Sequence, residues 1–176
     1  MPFFTLKVGN KEYVNMHIDS ETIQELQAQG IDIDIVKEKQ KEELSQATDR
    51  YVQQKLFSID EDLVDLVSEK SWLEGVFDAH GIPPEQVRKE TVQVILGKKT
   101  IDEAISKLSI PEDLIPDFER AVEIARIIAW KEAIWKAEAK LEEQVDSMTL
   151  EELLSLDVKR LCQDAYAQIP LEVEGD

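Results

Sequence analysis

The stretch from Asp117 to Gln144 constrains the fold more than any other, because it is apolar on two separate sides of one helix. Advancing about 100° per residue from Phe118, the residues Phe118, Ala121, Val122, Ala125, Ile128 and Ala129 gather on one side. That is the stripe of a helix facing a core. Trp135 returns to the same side. A second set, Ile127, Trp130, Ile134, Ala137, Leu141 and Met148, is centred elsewhere on the circumference, with spacings of 3, 4, 3, 4 and 7 residues. This is a heptad rhythm in which Gln144 fills one expected slot.

A helix with two apolar sides needs cover on both. Either it is central in a bundle, or the second side is covered by another chain. In the second case Ile127, Trp130, Ile134 and Leu141 are partner-binding residues, and Trp130 is the strongest single contributor.

Short signals divide the rest of the chain. Ser58 precedes Glu61 by three residues, and Thr100/Glu103, Ser109/Glu112 and Thr149/Glu152 repeat the spacing. In such a capping box the hydroxyl accepts from the third helical amide while the Glu reaches back to the cap. Gly81 and Gly97 read as helix stops, and Pro84 suits a first helical turn. Helices are expected to about Leu96, over "IDEAISKL", along the two-sided stretch, and over "LEELLS" and "VKRLCQDAYAQ", with a corner at "SIPEDLIP".

The N-terminal region reads differently. "FFTLKV", Gly9-Asn10 and "KEYVNMHI" read as a β-hairpin, and "ETIQELQAQ" as a short helix ending at Gly30. "IDIDIV" fits either a third strand or the lead into the next helix. From about Val36 to Leu56 a helix is polar nearly all round, with a thin stripe of Val36, Leu44, Ala47 and Tyr51. It projects into solvent or docks through a narrow seam, which makes Tyr51 a further candidate contact. The expected architecture is mainly α, a bundle of about seven helices with a small N-terminal hairpin. Its parts are 1–35 (hairpin and short helix), 36–57 (polar projecting or bridging helix), 58–169 (bundle core) and 170–176 (acidic tail).

The charge of −18 disfavours direct binding to nucleic acid phosphates or anionic membrane. It is concentrated in two segments. Residues 58–81 carry 1 basic and 7 acidic side chains, and residues 141–176 carry 2 and 10. This imbalance serves solubility, or it forms an acidic surface that imitates nucleic acid. Asp60, Asp62 and Asp65 invite comparison with a calcium loop, but Val64 stands where a third Asp or Asn ligand is needed and Asp65 where the turn glycine is needed. A helix N-terminus accounts for these carboxylates better. No apolar run has the length of a membrane span, and the N-terminus lacks the pattern of a secretory signal. With Cys162 alone, an intracellular, cytoplasmic location is expected.

Catalytic signals are sparse. His17 and His80 stand apart, and His80 suits the negative end of a helix before Gly81. Cys162 falls beside Leu161 and Ala165 on an apolar face and reads as a buried structural thiol. "GKKT" at 97–100 lacks the first glycine of a phosphate-binding loop, since Val92 stands in that place. The expectation is a protein without catalytic residues, cofactor or metal.

Residues 4–34, "FTLKVGNKEYVNMHIDSETIQELQAQGIDID", resemble the opening of small accessory proteins of tailed bacteriophages, especially tail assembly chaperones. Those begin with a short hairpin of the type K-V-x-x-K-E-Y followed by a helix. The resemblance implies a non-catalytic protein, in host cytoplasm or virion, that holds or joins components of a viral particle. The expected function is therefore an assembly chaperone or structural adaptor acting on a protein partner or another copy. The alternatives are an acidic mimic that inhibits a DNA-binding enzyme, and an enzyme with carboxylate-bound Mg²⁺ or Mn²⁺.

Overall fold

A computed structural model describes residues 3–8, 11–17, 20–30, 32–59 and 75–171. The described chain is mainly helical. Strands β1 (Phe3–Val8) and β2 (Lys11–His17) run antiparallel, with a register shift between Phe4 and Leu6. The expected Gly9-Asn10 turn lies outside the described residues. The helices are α1 (Ser20–Ala28), α2 (Ile33–Leu56), α3 (Pro84–Ile95), α4 (Ile101–Leu108), α5 (Ile115–Asp146), α6 (Leu150–Leu154) and α7 (Val158–Tyr166). A 3-10 turn at Glu112–Leu114 leads into α5. Asp60, Asp62, Asp65 and the acidic tail beyond residue 171 lie outside the described residues.

The local signals act as their chemistry requires. Thr149 and Glu152 make a full capping box at α6, and Thr100 accepts from the Glu103 amide at α4. Within "IDIDIV" the helix α2 begins at Ile33, and the Asp32 carboxylate caps it by accepting from the Ile35 amide at 3.1 Å. The expected cap at Ser109 is a correction. Ile110 precedes Pro111 and is biased away from helix, so Ser109 closes α4 in a left-handed conformation, φ 52°. The Ile110 amide then reaches back to the Ile105 carbonyl at 3.1 Å, the bond that terminates a Schellman turn. Gly97, φ 73°, ends α3 the same way, with the Lys98 amide on the Gln93 carbonyl at 3.0 Å. At Ser58 the hydroxyl turns back to the Lys55 carbonyl, 2.6 Å, and Glu61 lies outside the described residues.

The chain divides into two compact units that cut across the expected boundaries. Unit 1 comprises residues 1–52 and 134–169, and unit 2 residues 53–133 and 170–176. In unit 1, Leu26 of α1, Val36 of α2, Val145 of α5 and Leu150, Leu153 and Leu154 of α6 form one apolar cluster. Residues 33–52 of the polar helix belong to this unit. Its buried positions Val36, Leu44, Thr48 and Val52 follow four-residue spacing, a row that winds about 40° per step around the helix. At its N-terminal end Gln40 donates to the Leu153 carbonyl of α6, 2.6 Å, and further along Thr48 meets Tyr166 of α7.

In unit 2 the cluster joins Phe77, Ile82, Val87 and Val94 to Ala104, Ile110, Leu114, Phe118, Ala121 and Val122. The inward faces of α3 and α4 and the first two turns of α5 contribute to it, together with Phe77, Ile82, Ile110 and Leu114 from the segments before and between them. Burying a side chain such as Phe118 is worth about 1.5–3 kcal/mol each.

Candidate functional site

The heptad stripe is not a free surface. Ile127, Trp130, Ile134 and Leu141 are all buried in the single chain. The covering that the periodicity left open is supplied intramolecularly, so these four residues are not available to a second molecule in this conformation. Tyr51 is half-buried and packs in a tilted arrangement against Tyr166, ring centroids 5.2 Å apart at 57°. It belongs to the interior of unit 1. The opposite side of α5 departs from expectation as well. It is buried at Phe118, Ala121 and Val122, while Ile128 and Trp135 are exposed.

Around Tyr166, unit 1 holds a connected polar cluster. Thr48 donates its single hydroxyl proton to the Leu44 carbonyl, 2.8 Å. The Tyr166 hydroxyl, 2.7 Å away, is then the donor to Thr48 Oγ1. Cys162, one turn before Tyr166, and Glu138 of α5 complete the group. Burial pushes the Tyr166 hydroxyl and the Cys162 thiol above their ordinary values, and hydrogen bonding with Thr48 only partly opposes it. Burial also raises the Glu138 carboxyl, helped by the charges of Glu142 and Asp49. Every shift favours the neutral form. A nucleophilic Cys works as the thiolate, the form that burial disfavours here, and the Thr48–Tyr166 bond links α2 to α7.

Unit 2 contains a buried carboxylate of the opposite character. The Glu90 side chain is 3% exposed and lies 2.6 Å from Lys99 Nζ and 2.8 Å from Lys107 Nζ. Its hydrogen bonds with Lys107 and then Lys99 hold it below the usual carboxylate range against the effect of burial. The pairing ties α3 to the following turn and to α4. Sequence reasoning missed this site, since the partners stand 9 and 17 positions away and any one Glu among many looks alike.

Other candidates have structural explanations. His80 Nδ1 lies 3.2 Å from the Val76 carbonyl, at the end of a helical turn. Among the described residues there is no group of three or more His, Cys, Asp or Glu placed to hold a metal ion. None of their buried side-chain nitrogen or oxygen atoms lacks a hydrogen-bond partner. No described helix is long and apolar enough to cross a membrane. The acidic surface expected over 58–81 and 141–176 falls in large part on residues 60–74 and 172–176, which lie outside the described residues.

What faces solvent instead is a set of large apolar side chains. Phe57 is 86% exposed, Leu96 60%, Trp135 50% and Val92 43%. Leu96 and Val92 stand one turn apart on α3 and its cap, in unit 2. Comparison with family models, with curated proteins and with solved structures gives no match.

Proposed function

We propose that this chain is a non-enzymatic interaction protein, an assembly chaperone or structural adaptor that docks on a protein partner through its helical surface. One observation carries the reading. Large apolar side chains, Leu96 and Trp135 among them, are presented to solvent on helices whose buried polar groups are bonded to one another. Exposed aromatic and aliphatic anchors are what interface hot spots are made of. The docking route is thus displaced from the Ile127–Trp130–Ile134–Leu141 stripe to the exposed positions. The paired strands β1 and β2 offer a second route, since a strand edge accepts another strand. The resemblance of residues 4–34 to phage accessory proteins supports an assembly role in a viral particle.

The test is cross-linking of the full chain in its native source, with the cross-linked sites mapped by mass spectrometry. Cross-links to a discrete partner should cluster near Leu96 or Trp135, and Leu96→Glu with Trp135→Ser should remove them while helical circular dichroism is unchanged. Undiminished cross-linking by the double variant would overturn the proposed docking surface.

A further inference from the structure

We infer that α7 is a strap that lifts off unit 1 as a piece while α1, α2, α5 and α6 keep their structure. The inference does not depend on the docking surface proposed above.

The sequence of α7 opposes its own helix. Lys159 and Arg160 stand in the first turn and Asp164 in the last. A helix carries partial positive charge at its N-terminus and negative charge at its C-terminus, so all three are at the unfavourable end. Arg160 Nε and Asp164 Oδ2 do pair, at 3.9 Å, but in the weaker order, base before acid. The neighbouring α6 has the favourable pattern, with Glu151 and Glu152 in its first turn. Local support for α7 comes from Asp157, whose carboxylate accepts from the Arg160 amide at 3.1 Å. Nine residues are also fewer than a helix needs to stand alone in water. What holds α7 is therefore its docking.

That docking is one row wide. Val158, Cys162 and Tyr166 face inward at four-residue spacing, while Lys159, Arg160, Gln163 and Asp164 face solvent. Tyr166, the largest of the three, lies against Tyr51 and ends in the hydroxyl that donates to Thr48. When α7 lifts, water replaces each hydroxyl for the other, and Thr48 keeps its bond to the Leu44 carbonyl. The preceding segment is anchored differently. Leu150, Leu153 and Leu154 of α6 cluster with Leu26, Val36 and Val145, Leu156 packs against them, and Gln40 holds the Leu153 carbonyl. This apolar anchorage reaches Leu156, which makes Asp157 the point where the strap parts.

The experiment uses the full chain and its single cysteine. Cys162 is buried on α7, so iodoacetamide reaches it when α7 lifts or when the whole chain unfolds. Alkylation is followed by mass spectrometry over urea concentrations below the unfolding transition. Slow labelling with a shallow urea dependence is expected, because lifting α7 exposes little surface, whereas global unfolding gives a steep one. Tyr166→Phe should speed the shallow phase about two- to tenfold. Lys159→Glu, at an exposed position, should slow it about two- to fivefold at low salt. Leu153→Ala should leave it unchanged, since α6 stays folded when α7 lifts.

Labelling with the steep dependence of global unfolding at every urea concentration overturns the strap, and this result needs no variant to fold. So does a shallow phase that Lys159→Glu leaves unchanged. A shallow phase that Leu153→Ala accelerates as much as Tyr166→Phe also overturns it, because α6 would then open together with α7.

Discussion

Units 1 and 2 close their interiors by different means. Unit 1 buries Thr48, Cys162 and Tyr166 beside its leucines, and each polar atom depends on a partner from another helix or another turn. Unit 2 packs a hydrocarbon cluster and sets a buried carboxylate, Glu90, against two lysines. The first arrangement ties stability to hydrogen-bond geometry. The second ties it to filled volume, with one charge pair locking α3 to α4.

That contrast is easiest to break in unit 2. Phe118→Ala should leave a cavity and cost about 3–5 kcal/mol, as for other buried Phe truncations. Tyr166→Phe in unit 1 should cost only about 0.5–1.5 kcal/mol, because Thr48 still donates to Leu44 after the donor to it is lost. Denaturant unfolding followed by residue-resolved amide exchange distinguishes the two. A larger loss for Tyr166→Phe would reverse the assignment of roles.

Acid should move the two units in opposite directions. Glu90 has a folded pKa below its unfolded value. Its contribution is therefore fully present above about pH 4.3 and is lost as pH falls through the folded value. Glu138 is raised by burial. Its contribution is fully present below about pH 4.3 and is lost as pH rises through the folded value. Amide protection in α3 and α4, taken relative to the intrinsic exchange rate at each pH, should fall at acid pH, and Glu90→Gln should flatten that response. Protection in α7 should show the opposite slope, removed by Glu138→Gln.

The smallest effect sharpens the comparison of helix ends. Ser109 and Gly97 fill the same left-handed position at the ends of α4 and α3. Ser109→Gly should stabilise by about 0.5–1 kcal/mol, measured as a shift in the denaturant midpoint. No gain would mean that the serine conformation carries little strain.

These differences also mark what was legible beforehand. Thr100 and Thr149 were readable because a cap and its partner lie within one helical turn. Ser109 misled because the same spacing occurs where Pro111 biases Ile110 away from helix, so the helical turn begins only at Glu112. The periodicity of α5 placed Ile127, Trp130, Ile134 and Leu141 on one side, yet it carried no record of what covers that side. The Thr48–Tyr166 contact joins positions 118 residues apart. Glu90 looked like any other acidic residue until α3 turned it inward.

The buried row on α2 has one last consequence. Because Val36, Leu44 and Thr48 recur in multiples of four, α2 works as a ruler whose graduations must stay in phase with α6 and α7. A single residue inserted between Gln40 and Thr48 turns everything after it by about 100°, swinging the threonine away from its tyrosine while the glutamine stays in place. The length of that segment is therefore as fixed as its composition is free, and changes in chain length are better accommodated at the polar turns between helices.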